Sequence, residues 1–186
     1  MSKKEKIILG VDPGTNVMGY GLIKCIGQKI ELIQFGVIHL SKYKNHELKL
    51  QKIFQRISGL IDEYLPDEMA LEAPFFGKDV QAMLKLGRAQ GVAMAAALNK
   101  EIPINEYAPR KIKQSVTGNG NASKEQVAAM IKNLLKFEEQ PKLLDATDAL
   151  AVAVCHHFAF RVGGSTNSGS NSWKSFINDN PKRIKK

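Results

Sequence analysis

The chain has 186 residues, the size of one globular domain, and its 44% hydrophobic and 24% charged residues exclude a wholly disordered, collagen-like or coiled-coil protein. No apolar run reaches the roughly 18 residues of a membrane span, and no signal-peptide core follows the N-terminus, so we predict a cytoplasmic protein with no membrane association. Its 27 Lys and Arg against 18 Asp and Glu give a net charge of +9, which favours a polyanionic partner, although residues 163–186 contribute +4 of it through five cations and one acid.

The first half of the chain changes from strand to helix patterning. Apolar residues predict strands at 6–11, 17–26 and 29–40, and the short connections between them predict an antiparallel meander. Over residues 47–65 the apolar period becomes helical, and Pro66 ends that segment.

Strands and helices alternate in the second half. We predict strands at 69–73 and 102–107 and helices at 79–99, from Pro109, at 123–136 and from Pro141 to 161; Ser123 and Gln126 have the spacing of a capping box. This order predicts an α/β fold with helices packed on a sheet.

Two segments have unusual composition. Gly87, Gly91 and Ala95 recur every four residues in the second helix, so we expect that face to pack closely in the interior or at a subunit interface. From residue 163 the chain is rich in Gly, Ser and Asn, which predicts a folded domain at 1–162 and a flexible basic tail at 163–186.

Four acidic residues lie at predicted strand or helix ends. Asp12 closes the first strand and Glu72 closes the fourth, while Asp145 and Asp148 lie three apart on one helix face. Each has an ordinary alternative role, in a turn, facing water or at the positive end of a helix. Asp145 and Asp148 repel each other on a helix rich in Ala and Leu, which favours bound hard divalent cations, since these take oxygen ligands. The presence of two further acids at strand ends strengthens that hypothesis.

Five motifs, in order over residues 6–160, resemble the RuvC family of bacterial Holliday-junction resolvases. They are DPGT followed by GYG, LEAPFF, AMLKLGRAQGV, IKQSVTG and DATDALAVA. The resemblance implies a ribonuclease-H-like mixed five-stranded sheet flanked by helices, and a homodimer that cuts two strands of a four-way DNA junction by symmetrical nicks with 5′-phosphates, in recombination and repair.

The resemblance also implies the site residues and partners. Asp12, Glu72, Asp145 and Asp148 would be the catalytic metal ligands of a site with two Mg²⁺ ions, for which Mn²⁺ can substitute. The branch-migration proteins RuvA and RuvB are expected partners. The helix with the small residues is the candidate dimer face.

Several residues are candidates for DNA contact. Phe75 matches the family position near the junction centre, whereas Phe76 either contacts DNA or packs on its own loop. Lys113, Lys124 and Arg110 surround a Gly-Asn-Gly-Asn loop, where cations could hold phosphates. The family resemblance implies that Lys113 and Lys124 contact DNA or the active site, whereas Arg110 is a further DNA candidate or an ordinary solvated charge.

Other readings remain open. A noncatalytic junction-binding protein of the same fold would lack one or more carboxylates, and a related nuclease would cut RNA–DNA hybrids. An ATPase of the sugar-kinase or actin type needs a duplicated domain, for which the chain is too short.

Cys25 and Cys155 are expected to be reduced and structural. The adjacent His156 and His157 are expected to have packing or surface roles.

Overall fold

The structure is a computed structural model that describes residues 5–74, 79–137 and 144–164, with side chains to residue 159. These residues form five strands and five helices. In chain order they are β1 (Glu5–Asp12), β2 (Val17–Ile26), β3 (Lys29–His39), α1 (His46–Tyr64), β4 (Glu68–Glu72), α2 (Val80–Leu98), β5 (Ile104–Tyr107), α3 (Pro109–Thr117), α4 (Lys124–Leu135) and α5 (Leu144–Gly164).

The strands form one mixed sheet in the order β3-β2-β1-β4-β5. The pairs β1–β2 and β2–β3 are antiparallel, and the pairs β1–β4 and β4–β5 are parallel. The predicted meander and α/β sheet are therefore confirmed. β1 lies at the centre of the sheet, where it pairs with both an antiparallel and a parallel neighbour.

Each face of the sheet carries its own hydrophobic core, because successive side chains of a strand point to opposite sides. Leu9 of β1 packs on one side with residues of α1 and α2, including Ile57 and Ala93. Ile8 packs on the other side with residues of α3, α4 and α5, including Ile131. The helices thus form two layers with the sheet between them.

The helix ends follow local sequence signals closely. Ser123 Oγ accepts a hydrogen bond from Gln126 N at 3.3 Å, and Gln126 Oε1 accepts one from Ser123 N at 2.9 Å, so the predicted capping box is confirmed. Pro109 occupies the first turn of α3, as predicted. β5 begins at Ile104, later than predicted, although the Pro103 carbonyl already accepts from Met69 N.

The small-residue face of α2 does not face the interior of this chain, which was one of its two predicted positions. Gly87, Gly91 and Ala95 are exposed, and a Cβ added at either glycine would meet nothing within 4 Å. The buried face consists of four other small residues and one glutamine, namely Ala89, Ala93, Ala96, Ala97 and Gln90. The predicted packing of the stripe inside this chain is therefore wrong, and its contact with a second subunit stays a prediction.

The remaining expectations about chain organisation have mixed outcomes. Cys25 and Cys155 are free and buried, and burial raises the pKa of both thiols, to about 11 for Cys25. Within the described ranges, no helix is long and apolar enough to cross a membrane. α5 continues to Gly164, past the predicted start of the tail; residues 165–186 lie outside the described part, so the flexible tail stays a prediction.

Candidate active site

Two of the four predicted carboxylates come together because β1 and β4 are parallel neighbours. Val11 pairs with Leu71, so Asp12 and Glu72, the next residues, end their strands at the same edge of the sheet. Asp12 lies two residues after Gly10 and therefore shares its face of the sheet, which is covered by α5. Glu72 shares a face with Ala70, which belongs to the core on the α5 side.

Glycines let α5 lie directly on the strands. Gly19 pairs with Asp12 in the β1–β2 register, and a Cβ at Gly19 would lie only 2.0 Å from the Asp145 carbonyl oxygen. A Cβ at Gly10 would lie 2.2 Å from the Ala149 carbonyl oxygen. Only residues without side chains fit under the helix, so these positions place its first turns over Asp12.

This approach brings the other two acids into the same place. Asp145 and Asp148 lie in the first turns of α5, and each offers a carboxylate oxygen within 4.8 Å of the others and of Asp12. No other group of three His, Cys, Asp or Glu in the described ranges meets that spacing. The positive end of α5 also stabilises the negative charge of Asp145 and Asp148. The alternative role predicted for these acids, at the positive end of a helix, is therefore compatible with their place in the carboxylate cluster.

A cavity of about 100 Å³ lies at this cluster, and we call it the carboxylate cavity. Asp12, Glu72 and Asp148 line it, which adds Glu72 to the acids. Burial, followed by the charges of Glu72 and Asp148, raises the pKa of Asp12 to about 8. Burial and Asp148 also raise the pKa of Glu72. Asp12 therefore keeps its proton at neutral pH unless a cation binds beside it.

Two predicted cations face the same cavity. Lys124, the first residue of α4, donates a hydrogen bond to Asp148 Oδ2 at 2.8 Å, and this bond raises the lysine pKa. Lys113 of α3 lines the cavity, and its charge opposes the rise in the Glu72 pKa. Arg110 is exposed and lies over the Gly120 backbone, outside the lining of this cavity.

A second cavity, of about 200 Å³, shares Asp12 and Glu72 and extends toward α2. Its wall includes Gln90, whose Nε2 donates to Glu106 Oε2 at 3.1 Å. Phe75 and Phe76 follow this wall in the sequence but lie outside the described residues.

The far end of α5 holds a buried polar network that the sequence did not reveal. His156 Nδ1 lies 2.7 Å from the Tyr107 hydroxyl, and its Nε2 is bonded to Glu68, which also pairs with Lys6. Burial lowers the pKa of His156, against the opposing influence of Glu68. Glu68 begins β4 and Glu72 ends it, so this network anchors α5 on the strand away from the carboxylates. The packing role predicted for His156 is confirmed.

The physical role of the glycines was also missed. Gly19 and Gly21 have the period of one strand face, and this spacing was the available signal for a close helix contact. A Cβ at Gly21 would lie 2.6 Å from the Leu150 side chain.

Comparisons with known proteins agree with this architecture. A family model described as "Crossover junction endodeoxyribonuclease RuvC" matches residues 8–156. The protein of that name from Cytophaga hutchinsonii is 67% identical over 181 residues, covering 97% of this chain and 89% of the relative. The protein of the same name from Porphyromonas gingivalis is 58% identical over 189 residues, and the match covers 100% of both chains.

A solved structure gives the same result for the fold. The structure described as "T. thermophilus RuvC in complex with Holliday junction substrate" is 31% identical, has a TM-score of 0.79, and matches 85% of this chain and 96% of that chain. The ribonuclease-H-like fold expected from the sequence is therefore confirmed. Since identity, coverage and fold agree along nearly the whole chain, it belongs to the RuvC family of crossover junction endodeoxyribonucleases.

Proposed function

We propose that this protein is a structure-selective endonuclease that resolves Holliday junctions, with Asp12, Glu72, Asp145 and Asp148 as its catalytic carboxylates. The observation that carries the assignment is the meeting of three carboxylate oxygens within 4.8 Å at the edge of the sheet. Glu72 completes the set by lining the same cavity as Asp12 and Asp148. Family membership supports the same activity.

The residues of the site fit divalent metal ions. All its acidic donors are hard carboxylate oxygens, and their mutual repulsion and burial hold a proton on Asp12 that a cation would displace. We propose that the four carboxylates hold two Mg²⁺ ions, for which Mn²⁺ can substitute. When bound, such ions supply an activated water and stabilise the departing 3′ oxygen.

The protein's own cations complete the site. Lys124 of α4 forms a hydrogen bond and ion pair with Asp148, and Lys113 of α3 also lines the carboxylate cavity. Both ammonium groups favour a phosphate brought against the acids, which would otherwise repel it. We propose these lysines as DNA contacts, with Arg110, Phe75 and Phe76 as further contacts with the junction.

Cleavage of a synthetic four-way junction tests this proposal. The wild-type protein with Mg²⁺ is expected to make paired symmetrical nicks in an end-labelled junction and to leave a linear duplex of the same sequence uncut. Asp148→Asn is expected to lower cleavage by about 10³-fold or more and to retain junction binding, because it removes one metal ligand and no DNA-facing cation.

Other outcomes separate the alternatives. Tight junction binding without cleavage of several sequences, in Mg²⁺ or Mn²⁺, would identify a noncatalytic junction-binding protein. Preferential cleavage of RNA–DNA hybrids would identify a different nuclease of this fold. A dependence of the rate on about the second power of the Mg²⁺ concentration, at subsaturating metal, would support two ions.

We propose further that the protein acts as a homodimer joined through the exposed face of α2. This face has Gly87, Gly91 and Ala95 at its middle and the exposed side chains of Val80, Leu84 and Leu98 along it. A stripe of small and apolar residues lets two helices approach closely, and a two-fold axis would give each of two cut strands its own site. RuvA and RuvB remain proposed partners by family resemblance.

Gly91→Ala is expected to stabilise the monomer and weaken the dimer. The added Cβ meets nothing within 4 Å in one chain, so helix propensity raises the free energy of unfolding of a monomer by about 0.5–1 kcal/mol. Across a close helix contact the same methyl group costs about 1–3 kcal/mol. Sedimentation equilibrium measures the dissociation constant of the dimer. Gly59→Ala in α1 is the control, because a Cβ added there also meets nothing within 4 Å. Unchanged dimerisation of Gly91→Ala would contradict this interface.

A further inference from the structure

A third cavity lies outside the site described above. It has a volume of about 350 Å³ and shares no lining residue with the carboxylate cavity. The loop between β1 and β2 and the first turns of α1 and α2 form its walls. We call it the lysine groove, after the three lysines among its lining residues, which include Lys44, Lys49, Lys85, Thr15, Asn16 and Asp79.

The groove carries an excess of positive charge. Lys44 and Lys85 are exposed, and neither forms an ion pair with another described residue. Within the described part of the chain, Lys49 donates to two neutral acceptors, the Thr15 carbonyl at 3.0 Å and Asn16 Oδ1 at 3.3 Å, and forms no ion pair.

One acid, Asp79, stands against the three lysines among the lining residues of the groove. Asp79 Oδ1 accepts a hydrogen bond from Ala82 N at 3.0 Å and caps the start of α2. The start of α1, in contrast, has no side-chain cap on Asn45. Two 19-residue helices begin at the groove, but Asp79 caps α2 and Glu47 lies in the first turn of α1, so these acids offset the positive helix ends. The excess positive charge of the groove therefore comes from its three lysines. The chemistry of the groove suits a phosphate.

The groove is attached to the catalytic strand through a fixed loop. Lys49 holds Thr15 and Asn16, and the Asn16 carbonyl accepts from Leu40 N at 2.8 Å and Ser41 N at 3.0 Å. Four residues of extended chain span at most about 14 Å, so Asn16 lies within that distance of Asp12. DNA rises about 3.4 Å per nucleotide along the helix axis, so about 14 Å measured along that axis corresponds to about four nucleotides.

We propose that the lysine groove binds a backbone phosphate of the cleaved DNA strand, within about four nucleotides of the scissile bond. The inference rests on the proposed function, since it requires DNA in the carboxylate cavity. Lys44 and Lys85 contact the phosphate, and Lys49 fixes the loop that connects the groove with Asp12. The contact sets the direction in which the strand crosses the active site and is independent of base sequence.

The salt dependence of junction binding tests the inference. The full-length protein and a four-way junction are titrated in chelator, so that no strand is cut, between 50 and 200 mM salt. The test variant is Lys44→Gln with Lys85→Gln; Lys49 is kept because it holds the loop. The control is Lys132→Gln with Lys136→Gln, two exposed lysines at the end of α4 that also form no ion pair with a described residue.

Both variants lose two positive charges, so a general field effect would be the same in both. If the groove binds phosphate, the slope of log K against log salt becomes shallower by about 0.9 for each phosphate that the test variant no longer neutralises. The control slope stays at the wild-type value. Equal slopes in all three proteins, or an equal decrease in both variants, would overturn the inference.

A second measurement locates the phosphate. Single methylphosphonates, which remove one backbone charge each, are placed along the strand on either side of the cut. One position within about four nucleotides is expected to weaken wild-type and control binding and to have no further effect on the test variant. The absence of any such position would overturn the inference.

Two further outcomes separate the groove from other assignments. If the test variant binds DNA normally but loses dimerisation, the groove holds a second copy of the chain and the inference is wrong. If the wild type neither binds nor cuts junctions, the proposed function fails first. If it cuts normally and the test variant keeps the wild-type slope, only the groove assignment fails.

Discussion

Asp12→Asn is expected to lower DNA cleavage by about 10³-fold or more and, in the absence of metal, to stabilise the protein. Cleavage falls because the variant loses a carboxylate that lies within 4.8 Å of Asp145 and Asp148. Stability rises because burial and the charges of Glu72 and Asp148 oppose ionisation of Asp12 and raise its pKa to about 8. A neutral amide avoids that unfavourable ionisation.

The stabilisation depends on pH in a defined direction. Asp12 has a pKa of about 8 in the folded protein against an ordinary value of 3.8, so the folded state binds the extra proton between these values. Its contribution to stability is complete below about pH 4 and is lost as the pH rises through 8. The raised pKa of Glu72 acts in the same direction.

Thermal unfolding in chelator at several pH values measures this effect. The advantage of Asp12→Asn over the wild type is expected to grow from pH 5 to pH 8 and to reach about 1–3 kcal/mol at pH 8. Mg²⁺ is expected to stabilise the wild type more at pH 8 than at pH 6, because protons compete with the ion for the carboxylate.

Asp62→Asn serves as the control for an acid outside the cluster. Asp62 is exposed and pairs with Lys100 at 2.7 Å, a surface contact worth about 0–1 kcal/mol. This variant is expected to cleave DNA normally and to show no stabilisation that grows with pH. A less stable Asp12→Asn protein at pH 8 in chelator would contradict the electrostatic account of the site.

The sequence predicted those features that depend on local period and strand order. Asp12 and Glu72 each follow a short apolar strand, and the carboxyl ends of parallel neighbours meet at one sheet edge. Asp145 and Asp148 share a helix face at any orientation of the helix. The grouping of all four came from family resemblance, because spacing within one chain does not say which helix covers which strand.

The orientation of α2 could not be predicted for a specific reason. Its buried face consists of four alanines and Gln90, and its exposed face has Gly87, Gly91 and Ala95 at its middle. Both faces are small and weakly apolar, so the difference in hydrophobicity that normally orients a helix is slight. The orientation of α2 is therefore decided by contacts of its side chains with residues that are distant in the sequence, and the local pattern does not show these contacts.

Contacts between distant residues also escaped prediction. His156 and Glu68 are 88 positions apart in the sequence, and nothing near either residue indicates the bond between them. The lysine groove likewise combines a β1–β2 loop with the starts of two helices. Each lysine in it resembles an ordinary surface charge until the fold places the three together.

Gly19→Ala is expected to destabilise the protein and to disable the site, although Gly19 carries no functional group. The new Cβ would lie 2.0 Å from the Asp145 carbonyl oxygen, so the helix backbone must move away from the sheet. Overpacking of this kind costs about 1–3 kcal/mol or more. Gly19 pairs with Asp12, so the same movement separates Asp145 from Asp12. A displacement of about 1 Å costs on the order of 10²-fold in rate.

A graded series of glycine variants distinguishes this mechanism from a general intolerance of alanine. At Gly21 the new Cβ would meet chiefly the Leu150 side chain, at 2.6 Å, which can rotate away, so Gly21→Ala should have a smaller effect. Gly59→Ala, in an open helix position, should stabilise the protein by about 0.5–1 kcal/mol.

Urea unfolding and junction cleavage are measured for all three variants. If contact with α5 positions the acids, the loss of cleavage follows the order Gly19, Gly21, Gly59. Mn²⁺ binding, measured by calorimetry on the folded fraction, should weaken in Gly19→Ala and not in Gly59→Ala. Normal Mn²⁺ affinity in a destabilised Gly19→Ala protein would show that the strands tolerate a shifted helix. The close approach of α5 would then serve the stability of the fold alone, and other contacts would position the carboxylates.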